Sequence, residues 1–337
     1  MSAQGFPYGP ATITGRIKSQ PEDFRVVEEL GFLPEGQGEH LFLYIEKSGL
    51  TTPDLIDLIA ADFGISSRQI SQSGLKDKVA VTCQWLSLHL PGGQKDFEFP
   101  AIGNYRILDH GWHSKKLRPG THKSNLFEIV IREVEGVSAV SLQQISDIQQ
   151  KGFANYFGEQ RFGQKQDNVE QALRQLSKPR LSRHRKSIYI SSLRSFLFNE
   201  VLSQRIQAGL WLEPQAGDVF MLAGTRSIFS DAIDTELVQR FDSLDISATG
   251  SLYGSGDSRL EGVALEIESE VFARYPQIIS RLEQQGAKSQ MRSLRVIAQD
   301  LQVDFDEPLK QLSLKVSLPR GSYLTTLLQH FINFDRN

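Results

Sequence analysis

Residues 311–322, "QLSLKVSLPRGS", decide the architecture. Leu312, Leu314, Val316 and Leu318 alternate with Ser313, Lys315 and Ser317, the period of two that a strand with one buried face requires. Pro319 to Gly321 then turn the chain into a helix, which the sequence predicts to be capped by Ser322 and to carry Leu324, Leu327, Leu328 and Phe331 on its inner side. A strand needs neighbours for its backbone donors and acceptors. The preceding segments offer mostly helices, in "DNVEQALRQL", "SSLRSFLFNEVLSQRIQAG" and "VFARYPQIISRLEQQG", with only short strands and glycine turns in "EPQAGDVFMLAG" and "ATGSLYGSG". The late strand must therefore join a sheet formed before residue 150. A chain of 337 residues exceeds the size at which one core keeps growing. Two domains are expected: residues 1–152 with 301–337 bearing the sheet, and 153–300 as a mainly helical insertion.

The first part reads as mixed strand and helix. "EHLFLYIEK" alternates as an amphipathic strand. "TTPDLIDLIAADFG" follows as a helix with Thr52 as the expected N-cap, Pro53 at the first position and Gly64 past its end. Residues 73–85, "SGLKDKVAVTCQW", give a bend at Gly74 and then a strand, with Val81, Cys83 and Trp85 on one face and Thr82 and Gln84 on the other. The apolar phase shifts at Trp85 and Leu86, which predicts a bulge or a strand end. "NLFEIVIREV" is another strand, with Phe127, Ile129 and Ile131 sharing a face. Residues 138–151 form a helix closed by Gly152. Asp77, set between Lys76 and Lys78, falls on a loop at the rim of the sheet. That position suits a catalytic group, but on these residues alone a Lys-Asp-Lys triplet is more often an ordinary solvated turn.

Composition narrows the chemistry. A single cysteine, Cys83, excludes disulfide frameworks and cysteine-built zinc sites, and its strand position suggests a buried thiol. His110 and His113 are close but lack the further ligands a metal site needs. "MSAQGFPYGP" has no basic and apolar leader pattern, and no stretch is long enough to span a bilayer; a soluble, cytoplasmic protein is expected. The net charge of −3 does not by itself attract nucleic acid. Two basic clusters stand against it: Lys115, Lys116, Arg118 and Lys123, then Lys178, Arg180, Arg183, Arg185 and Lys186. They imply a polarised surface.

Five separated stretches together resemble the TruD-type pseudouridine synthases that act on tRNA. They are "IKSQPEDFRVVEELGFLPEGQGEHL", "SGLKDKVAVTCQW", "KKLRPGTHKSNLFEIVIR", "GFANYFGEQRFG" and "PRGSYLTTLLQ", in the family's order and over nearly the whole chain. The resemblance implies an α+β fold, a pseudouridine-synthase mixed or antiparallel sheet flanked by helices and interrupted by the family's mainly helical insertion. It implies Asp77 as the catalytic aspartate and Lys18 as its basic partner. Asn125 and Phe127 match the family's asparagine and phenylalanine, and Tyr323 falls where relatives have phenylalanine. Substrate contacts are expected from these three and from Lys76, Lys115, Lys116, Arg118 and Arg161. Ser124 departs from the family's glycine, and Val79 stands where a polar or basic residue is expected.

Isomerising uridine to pseudouridine breaks the C1′–N1 bond, turns the uracil, joins C5 to C1′ and removes a proton from C5. Nothing enters or leaves, so no cofactor is expected. One carboxylate near the sugar can attack C1′, stabilise positive charge there, or take the proton. Lys18 would keep it ionised and oriented. The base must leave its stack, and an aromatic ring such as Phe127 replaces that stacking at about 1–3 kcal/mol, although its alternation with Ile129 also suits a core residue. Asn125 is open to three roles: capping the turn, bonding Asp77, or bonding the uracil edge. The family's target is uridine 13 of tRNA; tRNA is the expected partner, with no membrane and no protein partner. A binding module that retains the fold, and a hydrolase using Glu22 and Asp23, are the competing readings. The second is weak because adjacent residues on an extended segment face opposite ways.

Overall fold

The computed structural model describes residues 4–93, 104–163, 165–178 and 181–335. In chain order the first elements are β1 (Ile13–Arg16), β2 (Phe24–Glu29), β3 (His40–Ser48), α1 (Thr52–Asp62), β4 (Ile70–Gln72), β5 (Val81–His89), β6 (Tyr105–His113) and β7 (Ser124–Glu135). Then come α2 (Ala139–Lys151), β8 (Phe153–Ala154), α3 (Asn168–Gln175), α4 (Arg183–Gln207), β9 (Phe220–Leu222), β10 (Ile228–Phe229), α5 (Thr235–Asp242) and β11 (Ile246–Leu252). The last are α6 (Gly262–Ala273), α7 (Pro276–Gln284), β12 (Gln290–Ser293), β13 (Arg295–Val296), β14 (Gln299–Asp306), β15 (Gln311–Pro319), α8 (Leu324–Leu328) and β16 (Ile332–Asp335).

The chain packs as two compact units. One is a sheet unit of Thr12–Ser138, Ala298–Gly321 and the residues from Ile332; the other is a helical unit of the residues up to Ala11, Ala139–Ile297 and Ser322–Phe331. Packing thus groups α2 and α8 with the helical unit, whereas sequence texture grouped them with the sheet. On α2 the Gln144 amide donates to the carbonyls of Tyr8 and Pro10, which belong to the same helical unit.

In the sheet unit the order is β14-β15-β7-β2-β5-β3-β6, with β1 against β7 and β16, and β4 against β5. β2 with β5 and β1 with β16 run parallel and the other neighbours antiparallel, so the sheet is mixed. The late strand finds its partner as expected, Leu312 opposite Ile131 through Pro319 opposite Ser124. Helix α1 covers one face at Leu55 and Ile59, against Leu41, Leu43, Ile45, Leu86 and Leu88. Each such side chain contributes about 1.5–3 kcal/mol on burial. Phe42, Trp85, Leu30 and Leu117 close the other face.

Two local expectations in the sheet unit need correction. The N-cap of α1 is Thr51, whose hydroxyl accepts the Asp54 N–H while the Asp54 carboxylate accepts the Thr51 N–H. Thr52 is inside the helix and fully buried. β5 carries no bulge at Trp85: it pairs with β3 in unbroken register from Val81 to His89. Its apolar phase shifts because the strand is central and buried on both faces, so neither face selects polar residues.

The helical unit has its core around α4, where Leu193, Leu197, Phe198 and Leu202 meet Phe157, Phe162, Trp211 and Leu294. A four-stranded sheet, β10-β9-β11-β12, packs with these helices. The helix expected from Val271 onward is broken into α6 and α7 at Pro276. The N-cap of α8 is Tyr323 rather than Ser322, and Leu324, Leu327, Leu328 and Phe331 are buried as expected.

Candidate active site

The loop between β4 and β5, Ser73–Ala80, belongs to no strand, so its main chain is held by side chains. β2 pairs with β5 only at Val81–Cys83 and β4 only at Leu86–Leu88. Trp85 falls in the gap, and its N–H donates to Glu28 Oε1 at 3.2 Å. The other Glu28 oxygen accepts Lys76 Nζ at 2.7 Å, and the same ammonium donates to Asn125 Oδ1 at 2.9 Å. Lys76, expected at the substrate, is thus turned inward with its side chain 6% exposed, against a Glu28 side chain at 0%. The Lys76 N–H donates to Thr52 Oγ1 at 2.9 Å, and that hydroxyl donates to Gln84 Oε1 at 3.0 Å.

These ties present Asp77 at the sheet rim. Its Oδ2 accepts Lys18 Nζ at 2.6 Å, in a partly exposed pair. Lys18 follows β1 with φ +57°, a left-handed backbone that costs a residue with a Cβ. Its ammonium also lies 4.3 Å above the Phe24 ring, which packs edge-on against Phe127 with centroids 6.4 Å apart. Lysine, aspartate and the half-buried Phe127 are therefore joined by contacts. Asn125 is fixed through its oxygen, and its amide nitrogen makes no hydrogen bond among the described residues.

Beneath the loop lies Lys47, on β3 and 1% exposed, donating to the Leu50 carbonyl at 2.6 Å and the Asp77 carbonyl at 2.9 Å. Burial pushes its ammonium down to about 8, with Asp77 opposing the shift. Behind the loop, Ser73 Oγ accepts the His122 N–H and lies within hydrogen-bonding distance of its Nδ1, and burial holds that imidazole below its usual range. The Gly120 N–H donates to the Ser73 carbonyl at 2.7 Å, and the Leu117 N–H to Ser87 Oγ at 3.0 Å. The segment with exposed Lys115, Lys116 and Arg118 is so anchored four residues from Asp77. Among the described residues no group of three or more His, Cys, Asp or Glu side chains gathers as a metal would need.

The model of the tRNA pseudouridine synthase D (TruD) family matches residues 4–171 and 164–331. The chain belongs to that family. It is 38% identical to the tRNA pseudouridine synthase D of Methylococcus capsulatus over 332 residues, covering 97% of this chain and 94% of that protein. It is 35% identical to the Colwellia psychrerythraea protein of the same name over 342 residues, covering 98% and 93%. In fold it is similar to a crystal structure described as tRNA pseudouridine synthase D (TruD) from Methanosarcina mazei, with TM-score 0.72, 21% identity, and coverage of 97% and 95%.

Two further residues that the TruD resemblance singled out, Arg161 and Tyr323, lie in the helical unit. There Arg161 donates to the Tyr323 hydroxyl at 2.9 Å and to Ser191 Oγ at 3.2 Å, with its guanidinium 5.3 Å from the Phe157 ring. Arg183, Arg185 and Lys186 are exposed on the first turn of α4; Arg180 lies outside the described residues. Ser124, the departure from the TruD glycine, is buried and donates to Glu29, while Val79 is exposed. Asp23 is buried in a bidentate pair with Arg132 at 2.7 and 2.8 Å, a structural use that removes the hydrolase reading. Sequence reasoning missed Phe24, Glu28 and Lys47. Phe24 and Glu28 lie inside the first quoted TruD stretch, whereas a lysine on an alternating strand gives no sign of being buried.

Proposed function

We propose that the protein isomerises uridine to pseudouridine in tRNA, at position 13, with Asp77 as the catalytic carboxylate on a flipped-out uridine. The observation that carries the reading is the Lys18–Asp77 pair at 2.6 Å on a side-chain-braced loop, in a chain of this family. Lys18 holds one carboxylate oxygen, leaving the other free to approach C1′ as the glycosidic bond opens. The same carboxylate then takes the C5 proton after the uracil has turned and C5 has joined C1′. Phe127 offers a face to the extruded base, and the Asn125 amide donates to a uracil carbonyl.

Lys115, Lys116 and Arg118 neutralise phosphates flanking the target, and Arg161 and Tyr323 contact tRNA from the helical unit. The reaction needs no cofactor, since atoms and electrons balance within the nucleotide. A cytoplasmic location follows from the substrate.

The test is Asp77→Asn assayed on an unmodified tRNA transcript. Isomerisation should fall below about one hundredth of wild type, a loss of at least about 2.7 kcal/mol of transition-state stabilisation, with tRNA affinity held within about tenfold. Substantial turnover by this variant would move the catalytic role elsewhere.

A further inference from the structure

Lys47 has no part in the chemistry above, yet it is buried more deeply than any other lysine around Asp77. Taking an ammonium out of water is costly unless its donors are used. A methionine of similar length would fill the space without that cost. Asp77 and Asp54 favour the Lys47 charge and Lys76 opposes it. Among the described residues, however, no carboxylate pairs with the ammonium; the partners are the Leu50 and Asp77 carbonyls.

Leu50 immediately precedes Thr51, the cap of α1. One ammonium therefore joins β3, the entry to α1 and the peptide that follows the Asp77 side chain. We infer that Lys47 is a positioning residue for the isomerisation, pinning the Asp77 backbone so that its carboxylate keeps one orientation toward the ribose. The inference rests on the reading of Asp77 as the catalytic group. The loop has no ladder of its own, and Lys76 is tied separately to Thr52. Loss of the Lys47 donors frees the Asp77 peptide to rotate, and displacements of about 1 Å cost roughly 10²-fold in rate.

The experiment compares Lys47→Met, Lys47→Gln and Asp77→Asn for single-turnover rate at saturating tRNA, tRNA affinity and melting temperature. Lys47→Met should lose roughly 10²-fold in rate, with affinity within about threefold and melting shifted by less than about 5 °C. Lys47→Gln, neutral but able to donate to one carbonyl, should fall between. It decides the matter by the same criteria if the methionine variant does not fold. Turnover near wild type in these variants overturns the inference. So does a rate loss matched by an equal loss of affinity or of folded protein, which would make Lys47 a packing residue. An inactive Asp77→Asn beside a fully active Lys47→Met refutes only the role of Lys47. An active Asp77→Asn refutes the reading of Asp77 itself.

Discussion

Replacing Lys76 with methionine removes the ammonium that bridges Glu28 and Asn125. At 2.7 Å, two unit charges attract by about 6 kcal/mol with an effective dielectric near 20, against which stands the cost of having taken both from water. Deleting one partner leaves the Glu28 charge buried with, among the described residues, only the Trp85 N–H bonded to it, a situation that costs about 3–5 kcal/mol. Melting of the sheet unit should fall by about 6–20 °C at roughly 2–4 °C per kcal/mol. Trp85 and Trp112, both in the sheet unit, report its unfolding by fluorescence, and Trp211 reports the helical unit. The companion Lys76→Met/Glu28→Gln should recover most of the stability, because no charge is then left unpaired. Activity should stay low in both, since Asn125 loses the donor that holds its oxygen. A single variant destabilised by less than about 1 kcal/mol would mean that water reaches Glu28 in place of the ammonium, and the account of the loop would fail.

Replacing Lys115, Lys116 and Arg118 with alanine should weaken tRNA binding and flatten the plot of log affinity against log salt by roughly two units; an unchanged slope would make this a plain solvated segment. His330 is fully buried, accepts the Ala154 N–H at Nε2, donates Nδ1–H to the Thr326 carbonyl, and is pushed down to about 4. The unfolded chain therefore binds a proton that the folded helical unit refuses between about pH 6.5 and 4. Its stability should decline by roughly 1.4 kcal/mol per pH unit on acidification through that window, read from Trp211 in denaturant titrations. Stability independent of pH there would show that the imidazole charges in place. Isomerisation should survive EDTA once magnesium has been restored to fold the tRNA; recovery with zinc but not magnesium would overturn the cofactor-free chemistry.

The late strand was legible because its alternation is strict, and the mainly helical texture of the insertion pointed it to the early sheet, where β7 pairs with it; β14, its neighbour on the other side, went unread. β5 was misread at Trp85 because period-two reasoning assumes one wet face, and a central strand has none. Thr51 and Thr52 are both good caps in isolation. Tertiary demand separates them, since the second hydroxyl is taken by the Lys76 N–H. Asp77, Lys18, Asn125 and Phe127 were nominated through the family's motifs, and the structure brings Lys18 to Asp77 and Asn125 to Lys76. The inward lysines were invisible, because a lysine's burial depends on carbonyls and carboxylates contributed by distant segments.

The pairing of β7 with β15 also has a consequence for synthesis. Roughly 175 residues separate the end of β7 from the start of β15, and a ribosome adding about 5–20 residues per second needs about 10–35 s to make them. During that interval the edge of β7 bearing Phe127 and Asn125 has no partner on its β15 side, a template for pairing with another nascent chain. Strands β2 and β5 can form beside β7 meanwhile, but the helical unit must be translated before the sheet is sealed. Slow elongation within 139–297 should therefore lower soluble yield through aggregation, while leaving the activity per folded molecule unchanged.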